Sequence, residues 1–217
     1  MSYSNFSAIL FIFFISFSFP NDCQIKYKTS NINWENYTTN KQIFLSEGEK
    51  IQFINEKESL GTSSYSYASF NMSGKFKAYG NIQSLLNYSD DVYKYCFYQL
   101  FYNCTSLIDV TKLKLPVTKL ESELPESELP TIILADYCYA NMFSGCTSLI
   151  QAPELPATTL ADNCYSYMFS ECSSLINAPE LPATTLADNC YEYMFYDCTS
   201  LVNAPELPAT ILTNYCY

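Results

Sequence analysis

The second half of the chain repeats itself, and that periodicity constrains the fold more than any other feature. At a shift of 26 residues, CYANMFSGCTSL from Cys138, CYSYMFSECSSL from Cys164 and CYEYMFYDCTSL from Cys190 superimpose. The APELPAT segments from Ala152, Ala178 and Ala204 coincide too. CFYQLFYNCTSL from Cys96 is a divergent copy, set back by sixteen further residues that include ESELPESELP. A fixed period of this length marks stacked units, each burying its apolar face only against its neighbours.

Within one unit the pattern predicts a helix and then a strand. Leu160, Cys164, Tyr167, Met168 and Cys172 form one apolar stripe of an α-helix, with Asp162, Ser166, Ser170 and Glu171 off it. Leu175–Ala178 alternates like a short strand and is broken by Pro179 and Pro182. The expected fold is therefore an α/β leucine-rich-repeat solenoid over 93–217, with one short strand and one helix per 26-residue repeat. Strands stacked at about 4.8 Å and helices at about 9 Å would curve it around a concave strand face. With the last unit opening at Tyr217 and no polar capping repeat behind it, a longer parent protein is expected.

The units MFSGCTSLIQAPELPATTLADNCYSY and MFSECSSLINAPELPATTLADNCYEY resemble those of BspA-like leucine-rich-repeat surface proteins, over roughly 93–217. Phe70–Leu86, leading into the first copy, is similar to the β-rich region that precedes the repeats in some members. The resemblance implies a right-handed solenoid on or outside the cell surface of a mucosal microbe, adhering to host proteins or other cells. The 26-residue repeat is longer than the family's usual one, and no catalytic residues carry over.

The N-terminal part reads differently. Phe6–Phe19 (FSAILFIFFISFSF) is a signal-peptide core, shorter than the roughly 30 Å hydrocarbon span requires, with cleavage expected after Ser18. The predicted signal peptide is thus 1–18, and an uncleaved membrane anchor is the alternative. Sequons at Asn36, Asn71, Asn87 and Asn103 fit a eukaryotic secretory route. Residues 24–91 are expected to form a small all-β, sandwich-like domain, with a hairpin of Lys41–Leu45 against Lys50–Ile54, a second pair around Gly74, and Trp34 in its core.

Composition excludes much chemistry. The chain has no His and no Arg, so bidentate phosphate recognition, imidazole acid–base work and most metal ligation lack their usual residues. A net charge of −11 argues against nucleic acid. Nine of the ten cysteines fall in two repeat columns, Cys96, Cys138, Cys164, Cys190, Cys216 and Cys104, Cys146, Cys172, Cys198. Helix spacing puts the first column beyond disulfide reach, so the cysteines read as buried packing, with occasional bridges open to the second column. Their C-x7-C spacing does not suit zinc. Glu154, Glu180 and Glu206 read as solvated, because Lys114 replaces them in the divergent copy.

The expected repeat core is Cys138, Met142, Phe143, Cys146, Leu149, Cys164, Met168, Phe169, Cys172, Leu175, Cys190, Met194, Phe195, Cys198 and Leu201. Tyr139, Tyr165, Tyr191 and Tyr217 recur once per coil. Such a ladder serves either as a surface for proteins or glycans or as packing between coils, and packing is the commoner use. No catalytic, cofactor or metal residue stands out. The chain reads as a secreted or surface-displayed protein that binds or adheres to host or neighbouring-cell surface proteins and not as an enzyme. The alternatives are a structural spacer displaying the N-terminal domain and a carbohydrate-binding or carbohydrate-active surface protein.

Overall fold

A computed structural model describes residues 13–217 apart from 22, 47, 58, 59, 88, 90 and 121–130. The first twelve residues of the predicted signal peptide and the ESELPESELP segment lie outside the described residues. No helix among the described residues is long and apolar enough to cross a membrane.

The N-terminal region is built of short strands. β1 (Phe13–Ser18) is the centre of an antiparallel sheet, flanked by β4 (Ile43–Leu45) and β6 (Ser69–Met72). β2 (Ile25–Thr29) is the centre of a second, between β3 (Glu35–Asn36) and β5 (Ile51–Asn55). The expected hairpin is therefore corrected. Both of its strands form, but β4 pairs with β1 and β5 with β2, because Ser46–Lys50 carries the chain from one sheet to the other. The pair around Gly74 fails likewise. β6 pairs with β1, while β7 (Phe76–Lys77) runs parallel to β9 (Leu107–Asp109) of the first repeat.

β8 (Gly80–Asn81) is followed by a 3₁₀ turn, Ile82–Leu86, and pairs with β10 (Leu113–Lys114). β11 (Thr118–Leu120) pairs with β12 (Thr131–Ile133) across the undescribed linker. Trp34, expected in the core, is 43% exposed; it immediately precedes β3, a two-residue edge strand whose own residues are exposed.

The helix-and-strand solenoid is also corrected. There is no α-helix among the described residues, and the segment expected to be helical is a ribbon of successive turns. In the coil from Cys164, the N–H groups of Cys164, Ser166, Met168, Ser170 and Cys172 each bond to the carbonyl three residues back. The residues between them do the opposite: Asn163, Tyr165, Tyr167, Phe169 and Glu171 donate to Asp188, Cys190, Glu192, Met194 and Tyr196 of the next coil. Each backbone donor thus has a partner, half within the coil and half across it, and the ribbon meets the backbone accounting that a helix would meet alone.

The turns need a left-handed residue at every fourth position, here Asn163, Tyr167 and Glu171 with φ of 56, 55 and 62°. The sequence carried that period. Leu160, Cys164, Met168 and Cys172 recur at a spacing of four, whereas an α-helix turning about 100° per residue would drift by about 120° over those twelve positions. The predicted strand shrinks to single parallel bridges, Gln151 to Asn177 and Asn177 to Asn203, because the prolines on its C-terminal side withhold donors.

Ring stacking sets the coil spacing. Phe101, Phe143, Phe169 and Phe195 stack face to face at 5.5 to 5.9 Å, and Phe97, Tyr139, Tyr165, Tyr191 and Tyr217 form a second column at 5.4 to 5.8 Å. The 9 Å helix spacing used to judge the cysteines therefore does not apply.

The Phe column continues out of the repeats. Phe101 stacks on Phe70 of β6 at 5.2 Å, and Phe70 on Phe17 of β1 at 4.1 Å. Phe70 N–H donates to Leu100, Phe76 to Ser106 and Ala78 to Asp109, so the N-terminal strands cover the exposed side of the first coil. One hydrophobic core runs from Ile15 to Cys216. Phe17, fully buried at its start, belongs to the segment expected to be cleaved away.

Candidate binding surface

The expected core residues of the first three full coils are enclosed: Cys138, Met142, Phe143, Cys146, Leu149, Cys164, Met168, Phe169, Cys172, Leu175 and Cys190 show no exposure. Met194 is 2% exposed, and Phe195, Cys198 and Leu201 are half-buried in the outermost coil. The nine repeat cysteines are free thiols. The second column has a defined role: the Cys146, Cys172 and Cys198 thiols donate to the carbonyls of Phe101, Phe143 and Phe169 in the preceding coil, at 3.0 to 3.1 Å. Cys104 donates to Phe70 of β6, extending the pattern to the N-terminal region. Burial pushes these thiols up, Cys104 to about 12 and Cys198 to about 11, so they stay protonated and unreactive.

The Tyr ladder is interior. Tyr139, Tyr165 and Tyr191 are 0, 1 and 4% exposed, which corrects their reading as a binding surface; only Tyr217, in the outermost coil, is open at 42%. The reason is positional. Each follows a core cysteine in the ribbon, on the inward side of the turn, and stacks on its counterpart one coil away. Tyr139 hydroxyl donates to the Pro116 carbonyl, whereas the Tyr165 hydroxyl has no hydrogen-bond partner among the described residues. Ser166 and Ser170, placed off the apolar stripe of the predicted helix, are buried as well.

Other tyrosines line the surface. Tyr95, Tyr137 and Tyr215 occupy one left-handed column, and Tyr167 and Tyr193 another. Tyr95 and Tyr137 stack at 4.8 Å, with Tyr98 edge-on to Tyr95 and Tyr67 edge-on to Tyr98. Lys94 Nζ sits 5.6 and 5.4 Å from the Tyr95 and Tyr137 rings and 3.3 Å from an Asp136 carboxylate oxygen, which raises its pKa. Further along, Tyr167 and Tyr193 stack at 5.0 Å with Tyr196 edge-on; Tyr193 and Tyr196 are 51 and 58% exposed. Desolvation raises the Tyr98, Tyr137 and Tyr167 hydroxyls, so these rings are neutral donors at physiological pH.

Sequence reasoning missed this set because a 3.6-residue period assigned the wrong positions to the outside. A period of four, with Asn at several left-handed positions, would have found it. Glu154, Glu180 and Glu206 are exposed, as their replacement by Lys114 implied. Among the described residues no group of three or more Cys, Asp or Glu is arranged to hold a metal ion.

Comparison with protein-family models, with curated proteins and with solved structures gives no match in any of the three.

Proposed function

We propose that this chain is a secreted or surface-displayed binding protein whose contact surface is the outward face of the turn ribbon. The observation that carries the reading is the set of partly exposed tyrosines, Tyr95, Tyr98, Tyr137, Tyr167, Tyr193 and Tyr196, mounted on coils that satisfy their own backbone. Rigid rings contribute contact area at little entropic cost, which is how protein interfaces use tyrosine. The resemblance to BspA-like surface proteins and the apolar N-terminal segment support an extracellular setting and an adhesive role toward host or neighbouring-cell surface proteins.

The test is retention of the purified chain on epithelial cells and on immobilised extracellular-matrix proteins. Wild type should be retained, and a Tyr137→Ser, Tyr193→Ser, Tyr196→Ser variant should lose at least tenfold in affinity with an unchanged circular dichroism spectrum. Equal retention of the two proteins, or none by either, removes the reading.

A further inference from the structure

The sheet formed by β3, β2 and β5 carries an unusual row of side chains on its outer side. Lys28 of β2 lies opposite Gln52 of β5, and its Nζ is 5.5 Å from the Trp34 ring beside β3. On the other flank Lys50 Nζ is 5.8 Å from the Tyr79 ring. Trp34 and Tyr79 are 43 and 55% exposed. Lys28, Thr29, Ser30, Lys50, Gln52 and Tyr79 line a shallow groove of about 520 Å³, with Gly48 and Glu49 at its rim.

Charge makes this row distinctive. The chain has 22 acidic residues for 11 lysines, yet neither Lys28 nor Lys50 makes an ion pair among the described residues. Glu49, the carboxylate at the groove, is turned to other work: it accepts from Ser30 Oγ at 3.2 Å, Asn31 Nδ2 at 2.8 Å and the Ser46 N–H at 2.7 Å. All 11 lysines lie between Lys26 and Lys119, while residues 120–217 hold 13 acidic residues and no lysine. Lysine is thus confined to the N-terminal region, and within it these two ammoniums make no ion pair among the described residues and lie over flat rings.

We propose that this face binds an acidic polysaccharide, of the uronate or sulfated-hexose kind. Each chemical group has a counterpart. The partly exposed rings of Trp34 and Tyr79 take the apolar faces of sugar rings, Lys28 and Lys50 take carboxylate or sulfate as point charges, and Gln52, Ser30 and Thr29 exchange hydrogen bonds with ring hydroxyls. Three strands about 4.8 Å apart give the row a width of about 10 Å between outer strand axes, enough for two consecutive sugars. Single-stranded nucleic acid also offers rings and anions, but sites for it track the phosphate chain with a run of basic residues, whereas this groove carries two lysines beside the hydroxyls and amide of Thr29, Ser30 and Gln52. The face shares no residue with the tyrosine surface of the turn ribbon, so the two readings succeed or fail separately.

The experiment passes the full chain over immobilised heparin, polygalacturonate and neutral dextran at low ionic strength, with a single-stranded oligonucleotide as competitor. Wild type should be retained on at least one acidic polymer, released by salt, and not retained on dextran. Lys28→Gln with Lys50→Gln should weaken retention at least tenfold and Trp34→Ala severalfold, while Lys112→Gln with Lys114→Gln, two exposed lysines elsewhere, should not. Circular dichroism establishes that each variant is folded. The proposal is overturned if no acidic polymer is retained, if the groove variants bind like wild type, or if the oligonucleotide displaces the chain at concentrations below those of the polysaccharide.

Discussion

Six cysteines, Cys96, Cys104, Cys138, Cys146, Cys164 and Cys172, hold thiols that burial pushes well above their ordinary value near 9, Cys104 to about 12. Loss of hydration by the thiolate is the first cause in every case, with neighbouring thiols of the same column adding to it at Cys138, Cys146 and Cys164. A group whose folded-state value is raised contributes stability that is complete below the unfolded value and is lost as pH climbs towards the folded one. In the unfolded chain each thiol ionises near 9, and in the native protein none does until well above that.

At about pH 10 each thiol therefore favours unfolding by about 1.4 kcal/mol, and the six together by about 8 kcal/mol. That is comparable to the whole stability of an ordinary domain, about 5–15 kcal/mol. The net charge of −11 raises thiol values in the unfolded chain as well, so the true figure lies somewhat below this sum. The assay is urea unfolding followed by circular dichroism, with a reductant present, from about pH 7.5 to about pH 10.5. The midpoint should be flat to about pH 8.5 and then fall steeply. Replacing Cys138 and Cys164 by Ala should reduce the slope by the equivalent of two protons. A midpoint near pH 10 within a tenth of its neutral value, or thiolate absorbance appearing near 9 in the folded protein, would refute the argument.

Three further outcomes are expected. Phe143→Ala breaks the stacked Phe column and opens a cavity between two coils, and should cost about 3–5 kcal/mol in urea unfolding. Cys172→Ala removes the thiol donor to the Phe143 carbonyl and a sulfur's volume from the core, and should cost about 1–2 kcal/mol, with Cys172→Ser recovering part of it. A chain beginning at Phe19 lacks β1, the central strand of its sheet, and the first ring of the column; it should lose the cooperative unfolding of the N-terminal region, measured by amide exchange at β4 and β6. An N-terminal chain that exchanges like the full one would show that β1 is dispensable.

The 26-residue period, the two cysteine columns and the apolar character of Met142, Phe143, Met168 and Phe169 were all legible without coordinates, because burial between identical neighbours demands identical side chains in each unit. The sequence also separated the lysine-bearing N-terminal region from the acidic repeats. What it left open was how the ribbon's hydrogen bonds are closed. Apolar residues at a four-residue spacing suit a helical stripe locally, and only the neighbouring coil, which accepts every second N–H, makes a chain of turns with left-handed residues the better arrangement.

That choice decides which tyrosines face inward: Tyr165 stacks in the core and Tyr167, two residues on, lies at the surface. The strand partners were non-local too, since β4 and β5 each found a longer strand to pair with than the other. Phe17 shows the limit most plainly. Within its own segment it is one apolar residue in a leader-like run, and only the assembled column gives it Phe70 as a partner and the head of the core as its place.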